Sequence, residues 1–355
     1  MESPSPFRVG FTRDFLTPSG ELTFGDIGVN GLRQAHGVEF EFFPEHFPEV
    51  RPEQISGYDA VISLAPKITR LTLSGDASSL SVLARFGVGY DMVDVPALTD
   101  RDVVLTITPD GVRRPVAGAI VTFVLALAHE LFARDRLVRE KRWVDRLGIK
   151  SFGLTGRVLG CVGLGNIGRE VFRLIKPFEM VLLATDPFVA PSEVAQLGAE
   201  LVDLETLMRR SDFVSVSTPL MPETRGLIGE RELSWMKPTA YLINTSRGPV
   251  IDQQALYRAL KEHRIRGAAL DVFEVEPLPT GDPLIELDNV ILTPHSISWT
   301  DQCFRMMGES AVQSVLAVLR GEVPQHVVNR ALLERPGFRA KLEANRVRSQ
   351  QLRGA

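Results

Sequence analysis

The chain has 355 residues, a length that suggests about two domains at roughly 150 residues each and that is long enough to bury a large core. Apolar residues make up 44% and charged residues 24% of the sequence, which excludes a wholly disordered chain. Forty basic against forty-four acidic residues give a formal charge of −4. A duplex-binding surface normally shows a basic excess, so we expect no nucleic-acid partner.

The number of cysteines and the N-terminal residues indicate the cellular compartment. Two cysteines, Cys161 and Cys303, are too few for a disulfide framework and favour a reducing compartment. Residues 1–7 lack the basic start and apolar stretch of a signal peptide. The longest apolar run, near Ala119–Ala128, is shorter than the ~20 residues that a membrane span needs. We therefore expect a cytoplasmic protein that does not associate with a membrane.

The first part of the chain alternates short apolar strands with polar or amphipathic connectors. This pattern is typical of βα units on a mostly parallel sheet. The predicted strands are Arg8–Thr12, Val38–Phe43, Ala60–Leu64, Leu83–Phe86 and Val103–Thr108.

The alternation of short strands and connectors stops near residue 110, and one long helix is predicted from Pro115 to about Trp143. A second strand–helix series and a helix from about Thr300 to Arg320 follow. The predicted strands of this series are Arg157–Val162, Met180–Thr185, Phe213–Ser217, Tyr241–Thr245, Ala268–Val272 and Val290–Leu292.

These patterns predict a split organisation. One domain comprises residues 1–110, to which the helix after Thr300 returns through residues 299–330, and the other comprises residues 111–298. Residues 331–355 carry six Arg or Lys residues against two Glu. We expect a solvated basic tail there, with a docking function as the alternative.

The strongest local signal is Gly163-Leu164-Gly165-Asn166-Ile167-Gly168, at the junction of a predicted strand and helix. In this G-x-G-x-x-G pattern the first glycine permits a tight turn, the second lets the backbone approach a pyrophosphate, and the third lets the helix pack on the strand. The helix N-terminus offers N–H groups and a positive dipole end to the phosphates.

The next strand ends in Asp186, 21 residues after Gly165, close to the expected spacing of about 20. A carboxylate there accepts hydrogen bonds from the ribose hydroxyls and repels a 2′-phosphate. Pro187 and Phe188 follow, with no Arg or Lys to receive that phosphate. The pattern therefore predicts NAD rather than NADP.

Three polar residues follow strand ends in the second series: Arg247, Glu276 and His295. Ligands of open α/β sheets bind outside the carboxyl ends of the strands. A guanidinium binds a carboxylate bidentately, and an imidazole with an ordinary pKa near 6.5 exchanges protons in both directions. A neighbouring carboxylate raises the pKa of such an imidazole and fixes its tautomer. Together they predict oxidoreduction of a 2-hydroxy or 2-keto acid. The six histidines show no metal-ligand spacing, so no metal is expected.

At these residues the sequence resembles the D-isomer-specific 2-hydroxyacid dehydrogenase family over about residues 55 to 330. Arg247, Glu276 and His295 follow one another at intervals of 29 and 19 residues, as in the family's triad. The motifs that carry the resemblance are Arg85-Phe86-Gly87-Val88-Gly89-Tyr90-Asp91, Val162–Gly168, Thr218-Pro219-Leu220 with Thr224-Arg225-Gly226, Asn244–Gly248, Asp271–Pro277 and Thr293-Pro294-His295.

The resemblance implies an α/β fold with two Rossmann-like, doubly wound parallel-sheet domains and a cleft between them. It also implies dimerisation through the NAD-binding domain, with the helix that begins near Pro115 as the dimerising element. Arg247 would clamp the substrate carboxylate, His295 would be the acid/base, and Glu276 would tune His295. Asp271 would lie near the nicotinamide amide.

The implied binding residues fall into two sets. Those assigned to NAD are Gly163, Gly165, Asn166, Ile167, Gly168, Asp186, Thr218, Pro219, Thr224, Thr245, Ser246, Asp271 and His295. Those assigned to the substrate are Leu64, Ala65, Val88, Gly89, Arg247, His295 and Trp299, with the backbone N–H groups of Val88 and Gly89 binding its carboxylate. A packing role is the alternative for Trp299.

Departures from family patterns narrow the substrate. Formate dehydrogenases carry Gln where this chain has Glu276, which disfavours formate. Phosphoglycerate dehydrogenases often use an Arg–Ser pair where Ser63-Leu64-Ala65-Pro66 stands here, which disfavours a phosphorylated substrate. We expect an NAD-dependent D-2-hydroxyacid dehydrogenase for a small acid such as glyoxylate or hydroxypyruvate. The alternative is an NAD(H)-sensing interaction protein of the corepressor type.

Overall fold

The computed structural model describes residues 5–354. The chain forms two compact units: unit 1 comprises residues up to 112 together with those from 299 onward, and unit 2 comprises residues 113–298. Each unit contains one sheet in which all paired strands are parallel. The expected doubly wound α/β class is confirmed.

Unit 1 has a five-stranded sheet in the order β2-β1-β3-β4-β5. In this arrangement β1 lies between β2 and β3, so the strand order reverses at β1/β3, where open α/β sheets bind ligands. Its strands are β1 Phe7–Phe11, β2 Val38–Phe42, β3 Ala60–Ser63, β4 Val82–Arg85 and β5 Val104–Thr106.

Unit 2 has a seven-stranded sheet in the order β12-β11-β10-β9-β6-β7-β8, whose order reverses between β6 and β9. The predicted strands are all present, and the three-residue β8 at the sheet edge is an addition. The strands are β6 Val158–Val162, β7 Val181–Thr185, β8 Ala199–Leu201, β9 Phe213–Val216, β10 Tyr241–Asn244, β11 Gly267–Leu270 and β12 Val290–Leu292.

Helices connect the strands of both units. In chain order they are α1 Asn30–Arg33, α2 Pro52–Ile55, α3 Val95–Asp100, α4 Pro109–Ala128, α5 Leu131–Arg139, α6 Asn166–Ile175, α7 Pro191–Gln196, α8 Leu204–Arg210, α9 Glu230–Ser234, α10 Gln253–Lys261, α11 Asp301–Leu319 and α12 Pro336–Gly354.

The prediction of one helix from Pro115 to about Trp143 is wrong in its extent, because the helical conformation is interrupted between α4 and α5. Glu130 adopts a left-handed conformation with φ +52°. Its carboxylate accepts hydrogen bonds from the Tyr241 hydroxyl at 2.7 Å and from the Arg266 guanidinium at 2.7 Å and 3.0 Å. These bonds to residues far along the chain hold Glu130 out of helical geometry.

Residues 331–355, expected as a solvated tail, instead contain α12, which packs on unit 1 with Phe338 fully buried. Three of the six basic side chains of this segment, Arg335 just before α12 and Lys341 and Arg348 on it, bind groups that stand one or two residues before strands β5, β4, β3 and β1. The contacts are Arg335 with Asp102 (2.6 Å), Lys341 with Leu80 O (2.7 Å), Arg348 with Asp59 (2.8 Å) and Arg348 with Ser5 O (2.8 Å). The helix therefore crosses the amino edge of the unit 1 sheet.

Helix α4 is long and apolar enough, by length and composition alone, to cross a membrane. In the protein 61% of the most apolar 18-residue stretch of this helix is buried, as in a core helix. Its apolar stretch is longer than the run near Ala119–Ala128 that stands out in the sequence.

Candidate active site

The glycine loop joins β6 to α6 in unit 2. Gly163 has φ +92°, and a Cβ there would meet Ser217 O at 2.9 Å, so only glycine fits this turn against the end of β9. A Cβ at Gly168 would meet Gly163 O at 2.7 Å, because α6 packs closely on the loop. Gly165 is the N-cap of α6, and a Cβ there would meet no atom within 4 Å. Open space therefore lies in front of the helix N-terminus, with Asn166 and Ile167 in its first turn.

Asp186 follows β7 and contacts the glycine loop directly. Its carboxylate accepts the Leu164 N–H at 2.8 Å and the Phe188 N–H at 2.9 Å. A carboxylate accepts about four hydrogen bonds, so it retains capacity for ribose hydroxyls. The guanidinium of Arg169 donates to Leu164 O at 3.1 Å and pairs with Glu193 at 2.9 Å.

The loop after β9 is closed by one side chain. The Thr224 hydroxyl donates to Pro219 O at 2.7 Å and accepts the Met221 N–H at 2.8 Å. Thr218 begins this loop, and its N lies 3.0 Å from the position of a Cβ on Gly163. Thr218 and Pro219 therefore start beside the glycine loop, and Thr224 shapes the loop that carries them.

Arg247 follows β10 on a loop fixed by Asn244, a residue that the sequence analysis did not assign to the site. The buried Asn244 amide donates to Arg247 O at 3.0 Å and accepts from the N–H and hydroxyl of Ser246 at 3.0 Å and 2.8 Å. A Cβ on Gly248 would overlap the Phe273 backbone at 1.9 Å. This close approach brings the Thr245–Arg247 loop against the loop after β11. A polar side chain ending a buried strand is the signal for Asn244.

Glu276 and His295 form a direct pair. His295 Nδ1 lies 2.8 Å from Glu276 Oε2, and Glu276 Oε1 accepts the Phe273 N–H at 2.9 Å. Burial opposes ionisation of Glu276, but the hydrogen bonds from His295 and Phe273 and the charges of His295 and Arg247 outweigh it and hold the Glu276 pKa below its usual range. The carboxylate is thus ionised and fixes Nδ1, which leaves Nε2 for proton exchange.

The loop that carries His295 is held by Asp271. One Asp271 oxygen accepts the Thr293 hydroxyl at 2.6 Å and the Ser296 and Ile297 N–H groups at 2.9 Å and 3.2 Å. Burial raises the Asp271 pKa, and these hydrogen bonds partly oppose the shift. His295 itself adopts φ +52°, a conformation that costs a non-glycine residue about 1–3 kcal/mol. Asp271 therefore stabilises the turn that presents the imidazole.

The residues assigned to the substrate in unit 1 follow β3 and β4. The Leu64 N–H donates to the Thr12 hydroxyl at 3.2 Å and the Ala65 N–H donates to Asp14 at 2.8 Å. Val88 and Gly89 lie on the loop after β4. Both loops lie at the carboxyl edge, the binding edge of such sheets.

Trp299 belongs to unit 1 and packs edge-on to Phe24 and Phe304, with ring centroids 5.2 Å and 5.6 Å away. Its side chain is still 51% exposed. Trp299 therefore makes the ring contacts that a packing role requires, and part of the residue stays exposed to solvent.

The residues present fit a dinucleotide. The open space before Gly165, the helix N-terminus behind it and the Asp186 carboxylate provide room for a pyrophosphate, donors for it and an acceptor for ribose hydroxyls. Within residues 5–354 no group of three or more His, Cys, Asp or Glu side chains is arranged to hold a metal ion. Fold and site define an NAD-linked oxidoreductase.

Comparison with known proteins gives the family. The family described as D-isomer specific 2-hydroxyacid dehydrogenase, NAD binding domain, matches residues 121–296. A glyoxylate reductase of Korarchaeum cryptofilum is 40% identical over 291 residues, covering 81% of this chain and 88% of that protein. A D-3-phosphoglycerate dehydrogenase of Methanocaldococcus jannaschii is 40% identical over 280 residues, and the match spans 78% of this chain but only 53% of that protein.

Among solved structures, D-lactate dehydrogenase from Aquifex aeolicus complexed with NAD and lactic acid has a TM-score of 0.77 at 27% identity, covering 88% of this chain and 96% of that one. The chain belongs to the D-isomer-specific 2-hydroxyacid dehydrogenase family. It is an NAD-dependent enzyme that interconverts 2-hydroxy and 2-keto acids, and the NAD(H)-sensing alternative is not favoured.

Proposed function

We propose that the enzyme reduces a small, unphosphorylated 2-keto acid of the glyoxylate or hydroxypyruvate type. The observation that supports this proposal comes from the loop after β3, where Asp14 accepts a hydrogen bond from the Ala65 N–H at 2.8 Å. A carboxylate at this position repels a nearby phosphate and already occupies the Ala65 N–H donor. The glyoxylate reductase relatives, which match this chain over most of its length, support the same substrate class.

In this proposal each triad residue has a separate task. The Arg247 guanidinium binds the substrate carboxylate, which fixes the position of the reacting carbonyl. NADH, when bound, supplies the hydride. The protonated His295 donates its Nε2 proton to the carbonyl oxygen as negative charge develops there, and Glu276 stabilises the imidazolium and holds its orientation. The close Glu276–His295 pair supports these roles.

The test is NADH oxidation with a panel of glyoxylate, hydroxypyruvate, phosphohydroxypyruvate, pyruvate and a branched 2-keto acid. We expect glyoxylate or hydroxypyruvate to give the highest kcat/KM, about 10⁴ M⁻¹s⁻¹ or above. A phosphohydroxypyruvate value above both would overturn the substrate assignment. A flat panel despite tight NADH binding would move the substrate outside this class.

We also propose a homodimer formed through residues 131–147 of unit 2. Six apolar side chains of this segment are each more than half exposed: Leu131, Phe132, Val138, Trp143, Val144 and Leu147. An apolar patch of this kind is typical of an interface. A second copy is the occupant that the family resemblance implies.

Light scattering coupled to size exclusion tests the dimer. We expect twice the chain mass for the wild type and the chain mass for Leu147→Asp. The matched control is Ile285→Asp, because Ile285 is an exposed apolar residue outside the patch. A monomeric wild type would overturn the dimer.

We place the enzyme in the cytoplasm. Both cysteines are free thiols and buried, which suits a reducing compartment. Cell fractionation with an antibody tests this, and recovery with an extracellular or membrane fraction would contradict it.

A further inference from the structure

The loop after β4, Phe86–Gly89, takes its shape from the side chain of Arg85. The guanidinium Nε donates to Gly89 O at 2.9 Å, and Nη1 donates to Phe86 O. One planar group therefore holds the carbonyls at both ends of the loop. A Cβ at Gly87 would lie 2.9 Å from Nη1, and Gly87 has φ +133°, so the glycine is needed for the loop to wrap the guanidinium.

Thr108 holds the middle of the same loop. Its hydroxyl accepts the Gly87 N–H at 2.7 Å, and its N–H donates to Gly87 O at 2.9 Å. Because a peptide unit is planar and trans, fixing Gly87 O also fixes the opposite direction of the Val88 N–H. The Gly89 N–H lies between this fixed unit and the Gly89 carbonyl held by Arg85.

The N–H groups of Val88 and Gly89 have no hydrogen-bond partner among residues 5–354. The carbonyls of Phe86, Gly87 and Gly89 accept hydrogen bonds from Arg85 or Thr108. The loop thus presents two adjacent donors, and a guanidinium is bonded to the carbonyls of Phe86 and Gly89 in the same loop. Such an arrangement is suited to an anion.

We propose that Arg85 is a positioning residue for substrate binding: it shapes the Phe86–Gly89 loop so that the Val88 and Gly89 N–H groups bind the carboxylate of the 2-keto acid. This inference rests on the proposed function, because it takes the substrate to be a carboxylate acid bound by these donors. Arg85 acts through the backbone and does not itself touch the substrate.

The test compares Arg85→Lys and Arg85→Ala with the wild type. Lysine keeps the charge but lacks the planar fork that spans two carbonyls. For both variants we expect KM for the keto acid, and the inhibition constant of oxamate, to rise about tenfold or more through the loss of charge-assisted hydrogen bonds. We expect kcat to change less than KM, and NADH affinity to stay at the wild-type value. The control is Arg70→Ala, which removes an exposed ion pair with Asp100 in the same unit and should change neither constant.

Chemical rescue separates positioning from folding. Added guanidinium at low millimolar concentration should lower KM of Arg85→Ala, whereas the same concentration of sodium chloride should not. A wild type that reduces keto acids while both variants keep wild-type KM would overturn this inference alone. Equal losses in kcat, KM and NADH affinity without rescue would also overturn it, as a general folding defect. A wild type that reduces no keto acid would overturn the proposed function and this inference with it.

Discussion

The carboxyl edges of the two sheets are built for different kinds of chemistry. In unit 2 the edge carries reactive side chains, with His295 and Glu276 paired at 2.8 Å on the loops after β12 and β11. In unit 1 the corresponding edge offers backbone N–H groups, and side chains such as Arg85 and Thr108 serve to hold the loops. A substitution of His295 or Glu276 in unit 2 therefore changes the reacting groups directly, whereas one of Arg85 or Thr108 in unit 1 acts through loop shape or stability.

The amino edges differ as well. Helix α12 covers that edge in unit 1 through side chains such as Lys341 and Arg348. At the amino end of the unit 2 sheet, the carboxylate of Glu130 joins Tyr241 to Arg266. Unit 1 thus depends on a segment more than two hundred residues away from its strands.

The largest expected effect is at His295. His295→Asn should lower kcat by about 10²–10⁴, the range that general acid–base catalysis contributes, while NADH affinity stays unchanged. Asn tolerates the left-handed conformation of this position, so the loop geometry is kept. Steady-state kinetics and fluorescence titration with NADH provide the measurements. Equal loss of NADH binding would show that His295 is structural and that this residue of unit 2 acts through loop shape, as Arg85 does in unit 1.

Stability should respond most at α12. Phe338 is fully buried, and Phe338→Ala should lower the free energy of unfolding by about 3–5 kcal/mol, as for other buried aromatic truncations. Val347→Ala, on the exposed face of the same helix, is the matched control and should have a much smaller effect. Denaturant unfolding measures both. A small effect of Phe338→Ala would mean that α12 adds little to unit 1.

The sequence is informative where residue type and period carry the signal. The strands were predictable because buried parallel strands are continuous apolar runs, as in Val158–Val162. Gly163, Gly168 and Asp186 were predictable because their spacing reflects a backbone requirement. Glu276 and His295 are hydrogen-bonded, and the catalytic roles that the resemblance implied for them stay predictions.

Other features depend on contacts with residues that are distant in the sequence, and local sequence patterns do not show such contacts. Glu130 breaks a helix through Tyr241 and Arg266, which are more than a hundred residues away. Lys341 and Arg348 of α12 look solvated in sequence because their acceptors lie one or two residues before strands of unit 1. Asn244 could be noticed as a polar residue that ends a buried strand, but its bonds to Ser246 and Arg247 O are seen only in the structure.

A pH effect should distinguish α12 from an ordinary surface helix. Burial lowers the Lys341 pKa from 10.5 to about 8, although Asp102 opposes the shift. Between these values the unfolded chain binds more protons than the folded chain, so stability rises with pH across this window. The neutral amine still donates to Leu80 O and Arg101 O. Relative to Lys341→Met, the wild type should gain about 2 kcal/mol from pH 7 to pH 10, after allowing for partial exposure. Parallel pH dependence of the two proteins would contradict this assignment.

The smallest expected effect concerns cofactor choice in unit 2. The Asp186 carboxylate bonds the Leu164 and Phe188 N–H groups, and a 2′-phosphate beside it meets like-charge repulsion. Asp186→Ala should narrow the ratio of kcat/KM with NADH to that with NADPH by about tenfold, equivalent to 1.4 kcal/mol. Asp186→Asn keeps an acceptor oxygen and removes the charge, so it should narrow the ratio with a smaller loss of NADH affinity. If neither variant changes the ratio, the preference lies elsewhere, and Asp186 serves only to tie the β7 loop to the glycine loop.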